Sequence, residues 1–337
     1  MSLKAGKLPP DLLRRQVLSR RGRRRPEVIV PAALGEDSTV LDLGGDLCVA
    51  SVDPITGAGS DIGWLAVHVS CNDVAAHGAR PVAVLLAVMV PEGSGLDVVE
   101  AIMEGAQRAA AEVGIEIAGG HTEVTPGLPQ PLVTATVIGR APRDRVIRSA
   151  GMRPGDRIWM SKTAGLEGTA ILAADLEAVL RGRLEPAVLE QARALGSAIS
   201  VVPEALAAAA SGASAMHDVT EGGVLGALWE MAAAAGVGLE VDAGAIPVAP
   251  ATAALCGVLG ADPLRLISSG VLLAAAPEGV DLAAAAREAG TMFTPVARAL
   301  PAGDGCWVLE GSRRRPLDPP DSDELWRVKA RFGEVPS

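Results

Sequence analysis

Tyrosine is absent from this 337-residue chain, and phenylalanine occurs only twice beside five tryptophans. Proteins that stack bases on aromatic platforms need such faces in number, so that class of nucleic-acid binder is disfavoured. The net charge of −10 likewise disfavours a general polyanion binder. The exception is the arginine-rich stretch 14–25, which reads as a solvated or mobile arm, with an anion-contacting arm as the alternative. Four cysteines, Cys48, Cys71, Cys256 and Cys306, show no CxxC spacing, which argues against structural zinc and a disulfide framework. No apolar run of signal-peptide or membrane length is present, so the sequence predicts a soluble, cytoplasmic protein with no membrane and no nucleic-acid partner. The phosphate-loop pattern GxxxxGK[ST] is missing, and GAGSDIG at 57–63 lacks the glycine spacing of a dinucleotide site.

What is present is 49% apolar residue content without the aromatics. The core must therefore be built from Ala, Val, Leu and Ile, which suits close-packed helices on a sheet of β-branched strands. A chain of this length exceeds one ordinary core. The expected organisation is an arm over 1–30, a first domain over 31–150, a second over 151–310 and a polar tail over 311–337, proline-rich loop first and then a short amphipathic piece. Both domains read as α/β, the first with a mixed sheet.

Punctuation places the elements. STVLDL and DLCVASVD are short strands joined by Gly44-Gly45, a hairpin signal. A helix begins near Asp61 and stops by Gly78, ahead of Pro81. PVAVLLAVMV has the composition of a buried strand. Residues 96–114 have helical apolar spacing, GIEIAGG is a strand broken by two glycines, and 131–139 is another strand. The second half alternates Ala-rich helices with strands, and the loop MHDVTEGG (216–223) leads into a helix.

One residue resists a bland explanation. Ile62, Ala66 and Val69 form a stripe at helical spacing, and Asp73 lies four residues further along it. A carboxylate on an inward stripe is costly unless a cation or strong donors meet it. Asp37 precedes a strand, Asp53 ends one, and Glu123 follows another in GGHTE. Carboxylates gathered at strand ends suit a hard divalent cation such as Mg²⁺, which takes a few carboxylates with water and substrate phosphates. Gly119 and Gly120 would let backbone N–H groups approach phosphate. The four histidines (68, 77, 121 and 217) lie in or near these segments, but without HExxH-like spacing. Lys162, in SKTAG, is either a phosphate-approaching cation or a surface lysine beside a strand end.

The ordered series GEDSTVLD, VASVDPI, SCNDVAAHGARP, GGHTEV, RPGDRIWMSKTAG, HDVTEGGVLGAL and LGADPLRLISSG resembles the aminoimidazole ribonucleotide synthetase superfamily, over about residues 30–310. That superfamily includes selenophosphate synthetase and thiamine monophosphate kinase. Spacing is most similar to its hydrogenase-maturation carbamoyl dehydratase branch. The resemblance implies ATP bound with Mg²⁺, and an N-terminal domain whose strands pair with those of a second subunit in a homodimer. It matches Asp37, Asp53 and Asp73 to metal and phosphate-site acids and Asn72 to a phosphate-side amide. Gly119, Gly120, His121, Thr122 and Glu123 fall in the family's GGET or GGHS loop, and Asp218, Gly222 and Gly223 in a cleft-facing loop. Asp73, Glu123 and Lys162 are the candidate catalytic residues.

The activity so implied is transfer of the ATP γ-phosphoryl group to an amide- or carbamoyl-like oxygen of a small-molecule or protein-carried acceptor. Alternatives are a non-catalytic nucleotide-binding scaffold and a small-metabolite kinase. The chain ends RFGEVPS where the dehydratase branch carries a terminal cysteine. The expectation is therefore that it does not carbamoylate itself, and the selenophosphate branch's N-terminal Cys or selenocysteine is also missing.

Overall fold

A computed structural model of the chain describes residues 8–20, 23–56, 61–320 and 322–332. Residues 57–60, most of GAGSDIG, and the terminal residues 333–337 lie outside the described residues. The chain divides into two compact units: residues 25–31 with 37–146, and residues 1–24, 32–36 and 147–337. A four-residue helix, α1 (Pro10–Leu13), precedes the sheet of the first of these and groups with the other unit.

The unit formed by 25–31 and 37–146 contains β1 (Val28–Val30), β2 (Thr39–Leu41), β3 (Leu47–Ile55), α2 (Ile62–Ala76), β4 (Arg80–Pro91), α3 (Leu96–Val113), β5 (Glu116–Thr125) and β6 (Leu132–Ala141). Its six strands follow the order β1-β2-β3-β6-β4-β5. The Gly44-Gly45 hairpin joins β2 to β3 as expected, with both glycines at positive φ. Only the β4–β5 pair is parallel among the described ladders of this sheet.

Strand β5 corrects the sequence reading. The glycines at 119 and 120 do not end it; the strand runs through them to Thr125. The ladder shifts register between Val84 and Leu85, which pair with Ile117 and Gly119, so a bulge at Ala118 lies just ahead of the glycines. Gly120 sits at φ 145°, and a Cβ there would lie 1.9 Å from the Leu86 carbonyl oxygen.

Helices α2 and α3 cover one face of the sheet. On that side Val49, Val84, Leu86, Val88, Val133, Ala135 and Val137 are buried. The other face keeps Val52 (58% exposed), Leu85 and Ile138 open. Helix α2 is buried on nearly every side, from Ile62 to Ala76, rather than along one stripe. Its small residues allow this: Gly63 is so close to α3 that a Cβ would lie 1.9 Å from the Ile102 carbonyl oxygen.

The second unit contains β7 (Arg157–Ser161), α4 (Leu166–Asp175), α5 (Glu177–Leu180), α6 (Pro186–Ala194), α7 (Val202–Ala210), β8 (Ala215–Val219), α8 (Gly223–Ala235), β9 (Gly238–Asp242), α9 (Pro250–Leu259), β10 (Val271–Ala276), α10 (Leu282–Glu288), β11 (Phe293–Leu300), β12 (Cys306–Glu310), β13 (Arg313–Pro316) and α11 (Glu324–Phe332). Its seven strands follow the order β13-β12-β9-β11-β7-β10-β8. The expected polar tail is structured. Its first part, β13, pairs with β12, and α11 buries Leu325 and Val328 among Leu172, Leu176, Leu180, Leu255 and Leu259. Each such side chain contributes about 1.5–3 kcal/mol when withdrawn from water, enough to fasten a helix of nine residues.

Candidate functional site

In the first unit the chemistry collects where β3 faces α2. Residues two apart on a strand share a face, which puts Ser51 and Asp53 together on the helix side of β3. Asp73 comes down on them from α2: the Ser51 hydroxyl donates to its Oδ2, and Ser51 Oγ also lies 3.1 Å from the Asp37 carbonyl oxygen. Asp73 is 7% exposed and Asn72 fully buried. His77, at the end of α2, accepts at Nε2 from the Ser38 N–H at 3.1 Å. That bond puts the proton of a neutral ring on Nδ1 and ties the 37–38 segment to the helix. Asp73 and the Asp37 backbone thus meet at Ser51, and Asp53 stands on the same face of β3; the three carboxylates do not form a cluster within 4.8 Å. The set is all hard oxygen, two carboxylates flanking a hydroxyl. That chemistry fits Mg²⁺, which takes few protein ligands and completes its shell with water and phosphate oxygens.

The GGHTE segment is split by the pleat. Asp53 pairs with Ala135, Ala135 with Leu86, and Leu86 with Gly120, so these four form one row across the sheet. Gly120 and Thr122 therefore share the face of Asp53. His121 and Glu123 pair with Ala87 and Met89 on the opposite face. There the His121 ring lies 3.2 Å from Glu123, which also accepts from the Thr125 hydroxyl at 2.7 Å. These bonds hold the Glu123 carboxyl below its usual range. The expectation that Glu123 works beside Asp73 is not met within one chain, because a strand turns alternate side chains to opposite sides.

In the second unit, Lys162 is neither a surface lysine nor an available cation. Its ammonium donates to the Ser200 and Gly270 carbonyl oxygens, both at 2.7 Å, and to the Glu204 carboxylate. An ammonium has three N–H donors, and three acceptors are in place. Burial draws its pKa down, against the pull of Glu204. The backbone at Lys162 adopts φ 53°, which turns the side chain inward.

Asp218 is buried on β8, and Gly222 and Gly223 form the turn into α8 at φ 88° and 62°. The resemblance matches this turn to a cleft-facing, cofactor-binding loop. Its Gly222 N–H, however, is held at 2.6 Å by Asp323, so that donor is occupied. His217 bonds Glu230 at 3.0 Å. His68 bonds Glu112 at 2.9 Å, so the four histidines have four separate partners.

Two buried acids escaped sequence reading. Glu167, on the first turn of α4, is 7% exposed and accepts from the Ser269 hydroxyl and N–H. Burial pushes its carboxyl up to about 7, with Asp323 and Glu221 adding to the rise. Asp323 precedes α11, and burial raises it to about 6 against three backbone donors. Neither stands in an apolar period, so only the convergence of distant segments reveals them.

Comparison with known proteins gives the setting. The model of the family "AIR synthase related protein, N-terminal domain" matches residues 35–141, and that of its C-terminal domain matches residues 153–304. The carbamoyl dehydratase HypE of Rhodobacter capsulatus is 34% identical over 283 residues, 83% of this chain and 78% of its own. The crystal structure of Escherichia coli HypE superposes with a TM-score of 0.73 at 26% identity, over 90% of this chain and 95% of that one. A hydrogenase maturation protein HypE in complex with ATP gives 0.68 at 25% identity, over 94% and 96% of the two chains.

Proposed function

This chain belongs to the AIR synthase related family through both of its domains, and from that premise we propose that it is an ATP- and Mg²⁺-dependent enzyme. Its reaction transfers the γ-phosphoryl group of ATP to a carbamoyl- or amide-type oxygen. The bond from γ-phosphorus to its bridging oxygen breaks, ADP leaves, and the acceptor oxygen becomes a phosphate ester. Loss of that phosphate with the two N–H protons would convert the carbamoyl or amide carbon to a nitrile. Atoms balance as amide plus ATP giving nitrile, ADP and phosphate.

The observation that carries this reading is the Ser51–Asp73 bond between β3 and α2, with Asp53 on the same face of β3. Asp53 and Asp73 would hold Mg²⁺, with Asp37 beside them. The ion, when bound, neutralises charge on the triphosphate oxygens. The chain's own part is positional. Ser51 fixes the Asp73 carboxylate, His77 fixes the segment before β2, and close packing of α2 keeps both from moving. Gly120 and Thr122, on the same sheet face as Asp53, are the backbone approach for phosphate.

Support for the acceptor comes from the named relatives, which are carbamoyl dehydratases. Three of the four thiols of this chain, Cys71, Cys256 and Cys306, are poor carriers of such a group. Burial pushes Cys71 and Cys256 up to about 12, and raises Cys306 as well. Since the thiolate is the nucleophile, we place the acceptor on a separate small molecule or protein. We also propose a homodimer through the open apolar face of the first sheet, around Val52, Leu85 and Ile138. The test is ADP formation that requires both Mg²⁺ and a carbamoyl-bearing acceptor.

A further inference from the structure

We infer that the C-terminal segment, residues 317–332, is a clamp that sets the shape of the glycine turn at 220–223, with Asp323 as the positioning residue. The inference rests on the reading that this turn, which follows Asp218, faces the nucleotide. The clamp lies beyond residue 304, where the match to the family model ends.

Two consecutive residues of the turn sit in the left-handed region, and the described backbone bond that closes it, Gly223 N–H to the Thr220 carbonyl, is 3.2 Å long. Its outer side is pressed from two directions. A Cβ on Gly223 would lie 2.7 Å from the Leu264 carbonyl oxygen, and one on Gly222 would lie 3.0 Å from Pro320.

One carboxylate joins the pieces. Asp323 Oδ2 accepts from the Gly222 N–H at 2.6 Å, while Oδ1 accepts from Ile267 at 3.1 Å and Leu325 at 2.8 Å. Turn, 264–269 loop and α11 therefore share one anchor, 4% exposed. Charge-assisted bonds of this kind are about twice as strong as neutral ones. The anchor is itself held. Besides Leu325 and Val328 in the core, Arg327 donates to the Gly260 carbonyl at 2.6 Å and Glu324 accepts from Asp262 N–H at 3.0 Å, whereas the more exposed Lys329–Asp175 pair adds little.

A helix N-terminus leaves backbone N–H groups without intrahelical partners. At α8, Asp323 takes one of these, which fixes which amides and which side chains the turn presents. Glu221 and Glu167 also bear electrostatically on Asp323 or on each other. An alternative turn shape would move Glu221 and with it the charge facing the site.

The test compares the full chain with Asp323→Asn, Asp323→Ala and Lys329→Ala by backbone hydrogen exchange and by titration with Mg·ATP. Asparagine keeps one carbonyl acceptor but faces either Gly222 or the Ile267–Leu325 pair with a donor. The expected result for Asp323→Asn is exchange about tenfold faster across 218–226, the scale of one lost charge-assisted bond, with β7, β10 and β11 unchanged. Mg·ATP should bind about tenfold more weakly, while Lys329→Ala leaves both readouts at the wild-type level. Unchanged exchange at the turn overturns the proposal. So does a uniform rise across the whole unit in both Asp323 variants, which would make Asp323 a stability residue only. Faster turn exchange with unaltered ATP affinity also overturns it, because the turn would then not be positioned for the nucleotide. If the wild-type chain fails to bind Mg·ATP, the functional reading fails separately, and the exchange pattern alone decides whether the clamp exists.

Discussion

Ser51 of β3 donates its hydroxyl to Asp73 of α2, and this one bond joins the first long strand to the helix that follows it in the chain. It answers the question posed by a carboxylate on a buried helix: Asp73 is met by a strong donor, on the same face of β3 as Asp53. Asp73→Asn retains size and a hydrogen-bonding carbonyl, so the fold should survive with a melting temperature close to wild type in the absence of ligand. Ligand-linked stabilisation is about 2.7 kcal/mol at a hundredfold excess over Kd. A thermal shift assay should show that Mg·ATP stabilisation present in the wild type and lost in the variant. A variant that keeps the full shift removes Asp73 from the metal site.

Gly120 and Gly119 differ sharply in what surrounds them. A Cβ at 120 meets the Leu86 backbone oxygen at 1.9 Å, whereas one at 119 meets only the Leu85 side chain at 3.5 Å. Gly120→Ala should therefore lower stability by on the order of 3 kcal/mol or more, because backbone must move. Gly119→Ala should cost less, limited to its φ of 156°. Urea denaturation of the two variants checks this; equal losses would show that the bulge yields freely.

Lys162→Met leaves the buried Glu204 carboxylate without its cation. Removing one partner of a buried pair costs about 3–5 kcal/mol, and here two carbonyl acceptors lose their donor as well. The expected phenotype is a second unit that melts earlier, with Mg·ATP affinity in the remaining folded protein unchanged. A folded, stable variant with abolished turnover would restore the lysine to the catalytic machinery.

Glu167 gives a pH dependence with a definite sign. Its folded pKa, about 7, lies above the ordinary 4.5, so the native state binds the proton more tightly than the unfolded one. The stability it contributes is complete below about pH 4.5 and is lost as pH rises through 7. At a difference of roughly 2.5 units the loss is on the order of 3 kcal/mol. Glu167→Gln keeps a carbonyl acceptor for Ser269 and cannot ionise, so its stability should fall less between pH 6 and 9 than that of the wild type. Parallel denaturation curves at both pH values would contradict this.

Much of the architecture was legible because it rests on local chemistry. The Gly44-Gly45 hairpin and the α2 exit before Pro81 follow from turn residues. Other features depend on register and distance. Nothing in GGHTE tells that β5 continues and that the pleat sends Thr122 and Glu123 to opposite faces. The α11 helix is the short amphipathic piece after the polar loop, with Leu325, Val328 and Phe332 at helical spacing, but nothing local tells which core it docks on. Lys162 and Asp323 show the limit most clearly. One looked reactive and is caged by acceptors from residues 200, 204 and 270; the other looked like a loop acid and fastens three segments.

The open face of the first sheet bears on assembly. Val52, Leu85 and Ile138 give it an apolar surface, so light scattering at micromolar concentration should report twice the chain mass. Val52→Arg with Ile138→Arg should shift it to the monomer. A wild-type monomer would remove the dimer from the account.

The most direct measurement follows an oxygen atom. The full chain is incubated with ATP, Mg²⁺ and an S-carbamoyl-cysteine peptide carrying ¹⁸O in its carbonyl, and the inorganic phosphate released is analysed by ³¹P NMR. Phosphoryl transfer to the acceptor predicts that ¹⁸O appears in phosphate in step with ADP, and that both vanish in Asp73→Asn or when Mg²⁺ is chelated. ADP formation with only unlabelled phosphate, or no ADP at all, would contradict it.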